Sequence, residues 1–184
     1  NEWENIVDAH QLITREQYLD TAHHRRKTKF VKKMRNQLWP IFEILSKDLV
    51  QRDLITLSKI YTAVSDVIMS RKNSPFDFII VDEAQDLSPA QLKFLLALGR
   101  NKPDGLFFAG DLGQRIFQQS FSWKSLGLDM RGRSRRLKIN YRTSHQIRMK
   151  ADLLLGPQLA DVDGNIEERS ETISLFNGIE PEIY

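Results

Sequence analysis

Four consecutive apolar residues, Phe78-Ile79-Ile80-Val81, run without a break into Asp82-Glu83. A short, non-alternating run of this kind is expected of a parallel strand buried on both faces. Such a strand needs a long crossover to reach its neighbour, and the next residues supply one. Ser88 can cap a helix, Pro89 suits its first position, Gln91 closes the capping box, Leu87 can staple onto Leu92, and Gly99 ends it. After a Pro103-Asp104-Gly105 turn, Leu106-Phe107-Phe108-Ala109 repeats the apolar run. Strand, helix and strand in this order predict a right-handed βαβ unit. Leu137-Lys138-Ile139-Asn140 is a third expected strand, followed by a helix from about His145 to Leu155 that Gly156-Pro157 closes.

The residues before this unit are expected to be helical. Thr14 and Gln17 form a capping box. Phe30, Val31, Met34 and Leu38 begin an amphipathic helix that Pro40 should kink or end. Leu57, Ile60, Tyr61, Val64, Val67 and Ile68 recur at helical spacing and make one apolar stripe. Tyr18, Trp39 and Tyr61 fit the packing of this lobe, with no chemistry attached. At the other end, Asp161 to Glu171 has the composition of a polar connector, and Thr172 to Tyr184 that of the beginning of a further element. The expected division is a helical lobe over 1–72, an α/β domain over 73–158, and a connector with the start of another domain over 159–184.

Charge is informative through its distribution. The net charge is only +3, yet seven Lys/Arg and no acid lie between Ala22 and Arg35, and eight and no acid between Arg131 and Lys150. From Asp161 onward there are seven Asp/Glu against Arg169 alone. Basic blocks fit a polyanion partner, and each block fits equally a solvated helix face. With no cysteine, disulfides and thiolate metal sites are excluded, which is compatible with the cytosol. No run approaches the roughly 18 apolar residues of a membrane span. The chain begins at Asn1 and not at Met, as expected of either a processed product or an excised piece, and shows no basic-then-apolar leader.

Three strings carry chemistry. In open α/β sheets ligands bind at the carboxyl ends of strands, which is where Asp82-Glu83-Ala84-Gln85-Asp86 emerges. One carboxylate of such a pair can hold Mg²⁺, and the other can orient and deprotonate an attacking water. The plain alternative is a strand end reaching solvent, with Asp86 helping to cap the next helix. Gly110-Asp111-Leu112-Gly113-Gln114 follows the second strand in the same topological position. Gln114, both donor and acceptor, can report a γ-phosphate; alone the string would be a Gly-rich turn. Asn140-Tyr141-Arg142-Thr143 follows the third strand. Tyr141 offers a ring for stacking on a base, and Arg142 a cation of the kind that speeds phosphoryl transfer by about 10³ to 10⁵. The alternative there is a helix start capped by Thr143 or Ser144.

Residues 78–86, Gly110-Asp111-Leu112-Gly113-Gln114-Arg115-Ile116-Phe117 and Leu137-Lys138-Ile139-Asn140-Tyr141-Arg142-Thr143-Ser144 resemble motifs II, III and IV of UvrD/Rep-like superfamily 1 DNA helicases, in order. The resemblance covers about Asp77 to Leu155. It implies an incomplete RecA-like (P-loop NTPase) parallel sheet with a helical N-terminal lobe. ATP and Mg²⁺ are the implied cofactors. Single-stranded and duplex DNA, with the remaining helicase domains, are the implied partners, and no membrane is involved. Carried over residue by residue, it makes Asp82 the Mg²⁺ ligand, Glu83 the catalytic base, Gln85 and Gln114 the couplers of nucleotide state to DNA, Tyr141 the adenine stack and Arg142 the γ-phosphate contact. Phe117 matches an aromatic that meets single-stranded bases. Trp123 stands six residues further on, where the family has its Trp two residues on, so Phe121 can share that contact. The larger departure is that no Gly is followed by Lys, so the sequence contains no G-x-x-x-x-G-K-[ST] phosphate loop. The resemblance implies 3′-to-5′ unwinding by the parent and an inert isolated chain. A DEAD-box RNA helicase would carry Ser-Ala-Thr where Gly110 to Gln114 stands. A vestigial, non-catalytic DNA-binding module and an ATP-binding domain without nucleic acid are the other readings. The retained Asp82, Glu83, Gln114 and Arg142 weigh against the first, and the basic blocks with Phe117 against the second.

Overall fold

The computed structural model describes residues 2–21, 32–100, 102–111, 121–155, 158–160, 163, 166–168 and 171–181. The chain divides into two compact units, one holding the described residues up to Asp111 together with Phe121, the other those from Ser122 onward. It is an α/β protein with short strands, and among the described residues no helix is long and apolar enough to cross a membrane.

The first unit begins with a wide helical turn over Trp3–Asp8, then α1 (Arg15–Asp20), α2 (Lys32–Gln51) and α3 (Leu57–Ser70). Both halves of the Thr14–Gln17 capping box are present at the start of α1. Ile6, Val7, Tyr18, Trp39 and Phe42 form one buried cluster. Within it Tyr18 stacks on Trp39, ring centroids 5.9 Å apart, and meets Phe42 edge-on at 5.4 Å. The sequence leads one to expect that Pro40 kinks or ends its helix, and this cluster explains why the helix does not end there. A helix-interior proline costs about 3 kcal/mol, but Trp39 and Phe42 flank it and are both buried. Each of those burials contributes roughly 1.5–3 kcal/mol, so the helix continues to Gln51. Of its expected opening residues, Phe30 and Val31 lie outside the described residues.

The apolar stripe of α3 forms a helix as expected, but only one side of it is covered. Ile68 packs with Ala97 and Leu98, and Tyr61 meets the Phe94 ring at 5.4 Å. Leu57, Ile60, Val64 and Val67 are exposed. Next come β1 (Ile79–Val81), α4 (Pro89–Gly99) and β2 (Leu106–Phe108). Ser88 and Gln91 close the capping box of α4 with Pro89 in its first turn. β1 and β2 pair in parallel, Ile79 opposite Leu106 and Val81 opposite Phe108, so α4 is the crossover of a βαβ unit. One expectation fails here. Ile79 is packed against the α3–α4 core, whereas Ile80 and Phe107 are 78% and 63% exposed. Successive strand side chains point to opposite faces, so a continuous apolar run does not reveal that only one face is covered.

In the second unit, β3 (Ile139–Asn140) leads into α5 (His145–Leu155), then β4 (Gln158–Ala160), β5 (Ile166–Glu168) and β6 (Ile173–Ser174). The expected closing pair Gly156-Pro157 lies outside the described residues. β3 pairs in parallel with β6, Ile139 opposite Ile173 and Asn140 opposite Ser174, and among the described residues these two strands form a sheet of two. β4 and β5 form an antiparallel pair, β5 lying within what composition marks as a polar connector. Three residues of Ile-Glu-Glu are too short and too polar to announce a strand, and ladder bonds to β4 make it one.

Candidate functional site

The pairing of β1 and β2 continues past the strands into the loops that carry the first two motifs. Ala109 N–H donates to Val81 O and Ala84 N–H to Ala109 O, both at 2.8 Å. Between them the chain reverses at Glu83, whose φ of 51° and ψ of 40° are left-handed. That conformation costs a non-glycine residue of order 1–2 kcal/mol, and such outliers cluster at functional sites. Asp82 steadies the turn, its Oδ1 accepting the Glu83 N–H at 2.9 Å. Both carboxylates are exposed.

Gln85 lies beneath them, 4% exposed. Its Nε2 donates to Glu83 Oε2 at 2.6 Å, and its Oε1 accepts the Asp111 N–H at 3.0 Å. One buried carboxamide therefore ties the carboxylate loop of β1 to the loop of β2. The seat exists because residue 110 is glycine. A Cβ there would lie 2.5 Å from Gln85 Oε1 and 3.2 Å from the backbone nitrogens of Ala84 and Gln85. Asp86 is not the cap of α4 that the sequence allows; Ser88 is, and Asp86 Oδ1 is buried with no hydrogen-bond partner among the described residues. Gln114 and Phe117 lie outside the described residues.

The third motif belongs to the second unit. Asn140 Oδ1 accepts the N–H groups of Arg142 (2.9 Å) and Thr143 (3.1 Å), and Asn140 Nδ2 donates to Thr143 Oγ1 at 2.5 Å. This Asx-type clip presents Tyr141, 68% exposed, beside the exposed Arg142. Buried Ser144 accepts the Ile147 N–H at 3.5 Å, as a cap of α5. The segment after β6 supports the loop, with His145 N–H donating to Phe176 O at 3.0 Å and Gly178 N–H to Gln146 Oε1 at 2.7 Å. Neither Gln85 nor Asn140 was identifiable as a clamp from sequence, although Gly110 beside Asp111, and Asn before Tyr-Arg-Thr, are the local signals for a close approach and for an Asx turn.

Trp123 is half-buried at the start of the turn over Lys124–Leu126. Phe121, the other aromatic named for that contact, is buried in the first unit, its ring nearly perpendicular to that of His10 with centroids 6.4 Å apart.

Much of the second basic block is engaged locally. Arg131 pairs with Asp129, Arg136 and Lys138 with Glu171, and Arg148 with Asp152. The hydrogen bonds from Arg131 hold the Asp129 carboxyl well below the usual carboxylate range, and the bond from Lys138 lowers Glu171. Arg135, Arg142 and Lys150 are exposed and have no ion-pair partner among the described residues. In the first block Arg35 is a packing residue: its guanidinium lies 4.6 Å from the Tyr18 ring centre and donates to Leu19 O at 2.9 Å.

No cluster of three metal-ligating side chains occurs among the described residues. The adjacent Asp82 and Glu83 instead fit a hydrated Mg²⁺, which typically takes one or two carboxylates and completes its shell with water and phosphate oxygens. The phosphate half of such a site has no counterpart in this sequence, which lacks any Gly-Lys pair.

The family model of the UvrD/REP helicase N-terminal domain matches residues 4–123, more than half of the chain. No curated protein matches the sequence. The matched stretch contains the helical lobe, the βαβ unit with Asp82, Glu83 and Gln85, and the chain as far as Trp123. This chain belongs to the UvrD/Rep helicase family, matching the N-terminal domain.

Proposed function

We propose that this chain is part of an ATP-dependent DNA helicase motor with a RecA-like (P-loop NTPase) core, in which Mg²⁺–ATP hydrolysis drives movement on single-stranded DNA and duplex unwinding. The observation that carries the proposal is the Gln85 bridge. It links the carboxylate loop to the Gly110-Asp111 loop at the carboxyl ends of two adjacent parallel strands, the place where open α/β sheets receive nucleotides. In this reading Asp82 holds Mg²⁺ and Glu83 is the base that takes a proton from the attacking water. Gln85 and Gln114 pass nucleotide state to the DNA side, Tyr141 stacks on adenine, and Arg142 meets the γ-phosphate. Bound Mg²⁺ supplies charge neutralisation on the phosphate oxygens. Phe117 and Trp123 stack on single-stranded bases. The division into a helical lobe (1–72), a partial motor domain (73–158) and the start of the second motor domain (159–184) belongs to the same proposal, as does 3′-to-5′ polarity.

Phosphoryl-transfer catalysis is largely positioning and electrostatics, so a chain without the phosphate loop is expected to be inert. Purified chain with Mg²⁺–ATP should release no phosphate above background, with or without single-stranded DNA. In the intact parent, Glu83→Gln should leave ATP binding in place and lower DNA-stimulated hydrolysis by about 10²- to 10⁴-fold, the usual contribution of a positioned base. Undiminished hydrolysis by that variant would refute the assignment.

A further inference from the structure

The turn that carries Trp123 is held from a distant part of the same unit. Asp163 lies 39 residues beyond Lys124, past the end of the family match. Its Oδ1 accepts the hydroxyl of Ser122, and its Oδ2 accepts the Lys124 N–H at 3.0 Å. One carboxylate thus grips the residues immediately before and after Trp123. The grip is extended inside the turn. Ser122 Oγ also accepts the Ser125 N–H at 2.9 Å, Ser125 Oγ donates to Ser122 O at 2.8 Å, and Trp123 O accepts the Leu126 N–H at 3.1 Å and the Leu128 N–H at 3.0 Å. Gly127 closes the turn at a φ of 101°, a conformation that side chains disfavour.

We infer that Asp163 is a positioning residue for Trp123, fixing the backbone on both sides of the indole so that its ring is presented to single-stranded nucleic acid in one orientation. The inference rests on the reading of Trp123 as a base-stacking residue. A carboxylate is a poor neighbour for a phosphate backbone, and here both of its oxygens accept hydrogen bonds from the turn, so Asp163 acts through Trp123 and not by touching DNA. Ordering the indole before binding removes part of the entropy that stacking would otherwise cost.

The test uses the full chain labelled with 5-fluorotryptophan, with the Trp123 resonance identified by its loss in Trp123→Phe, and a fluorescent oligothymidylate titrated at several salt concentrations. Stacking of one base corresponds to roughly a 5- to 150-fold change in affinity, and Trp123→Ala should show a loss in that range. Asp163→Ala should shift or broaden the Trp123 resonance and weaken oligonucleotide binding by several-fold. It should leave the slope of log affinity against log salt unchanged, because no phosphate contact is lost. Asp163→Asn, which keeps an acceptor for the Lys124 N–H and a polar group for Ser122, should recover most of the affinity. Ser122→Ala removes a single arm of the grip and should give an intermediate loss, which keeps the question open to measurement if Asp163→Ala folds poorly. Undiminished binding by Trp123→Ala would overturn the stacking role and the inference with it. Weakened Trp123→Ala beside Asp163→Ala and Ser122→Ala of wild-type affinity and unmoved Trp123 resonance would overturn the inference alone.

Discussion

Gly110→Ala should destabilise the chain through one identifiable atom. The new Cβ would sit 2.5 Å from Gln85 Oε1, well inside contact distance. An exposed glutamine would swing away at little cost, but this one is buried and tied at both ends of its carboxamide. Displacing it breaks the bond to the Asp111 N–H, a neutral pair of about 0.5–1.5 kcal/mol, and strains the bond to ionised Glu83, about 1.5–3 kcal/mol when fully formed. Glu83 is exposed, so water replaces part of that second bond, and alanine recovers about 0.4–1 kcal/mol from the unfolded chain where its backbone is compatible. A net loss of about 1–2.5 kcal/mol follows. In a Gln85→Ala background the obstacle is gone and only the two 3.2 Å contacts to backbone nitrogen remain, so Gly110→Ala should cost no more than about 0.5 kcal/mol. Urea unfolding of the four proteins, followed by far-ultraviolet dichroism, completes the cycle, and the coupling should be about 1–2 kcal/mol. Additive losses would show that Gly110 is not a glycine on account of Gln85, and the bridge would lose its structural support.

Three further outcomes are expected. Burial, with the hydrogen bond to Glu2 as the next cause, pushes the Tyr18 hydroxyl up to about 12. A raised folded-state value means that its contribution is complete below the unfolded value near 10 and is lost as pH rises through 12. Stability should therefore fall more steeply between pH 10 and 12 in the wild type than in Tyr18→Phe, and parallel curves would exclude that hydroxyl as the cause. Asn140→Ala should cost about 1–2 kcal/mol in urea unfolding by stranding the N–H groups of Arg142 and Thr143, whereas Asn140→Asp, which keeps the acceptor, should cost clearly less; equal losses would argue against the clip. Finally, removing the charge of Arg135 or Lys150 should lower the salt slope of single-stranded DNA binding by about 0.7 each. Arg136→Ala and Lys138→Ala, whose charges Glu171 already engages, should change it less, and the reverse order would contradict the division of the basic block.

What could be read in advance was whatever local chemistry decides. Ser88, Pro89 and Gln91 specify a helix start because their partners lie within one turn, and Thr14 with Gln17 does the same. The two apolar runs and the helix between them leave little but a parallel pair. Features set by distant partners were not legible. Pro40 stays inside α2 because Trp39 and Phe42 are anchored in a cluster with Ile6, Val7 and Tyr18. Ile80 and Phe107 are exposed because pleating separates the two faces and α4 covers only one. β3 takes β6 as its neighbour, a pairing over more than thirty residues that no short motif encodes. The carboxylates of the site were visible as residue types, Asp82 and Glu83 at a strand end. Gln85 was named there as a coupler by resemblance, but its use as a clamp, like that of Asn140, was not legible, since a carboxamide shows such a use only once the groups around it are placed.

The most direct examination of the nucleotide site is affinity cleavage in the intact parent, with Fe²⁺ in place of Mg²⁺ and ascorbate with peroxide added in the presence and absence of ATP. Backbone cuts that depend on ATP should fall at Asp82-Glu83 and at Gly110-Asp111, the two loops that Gln85 joins. ATP-dependent cuts that avoid both loops would place the metal and its nucleotide elsewhere and contradict the account.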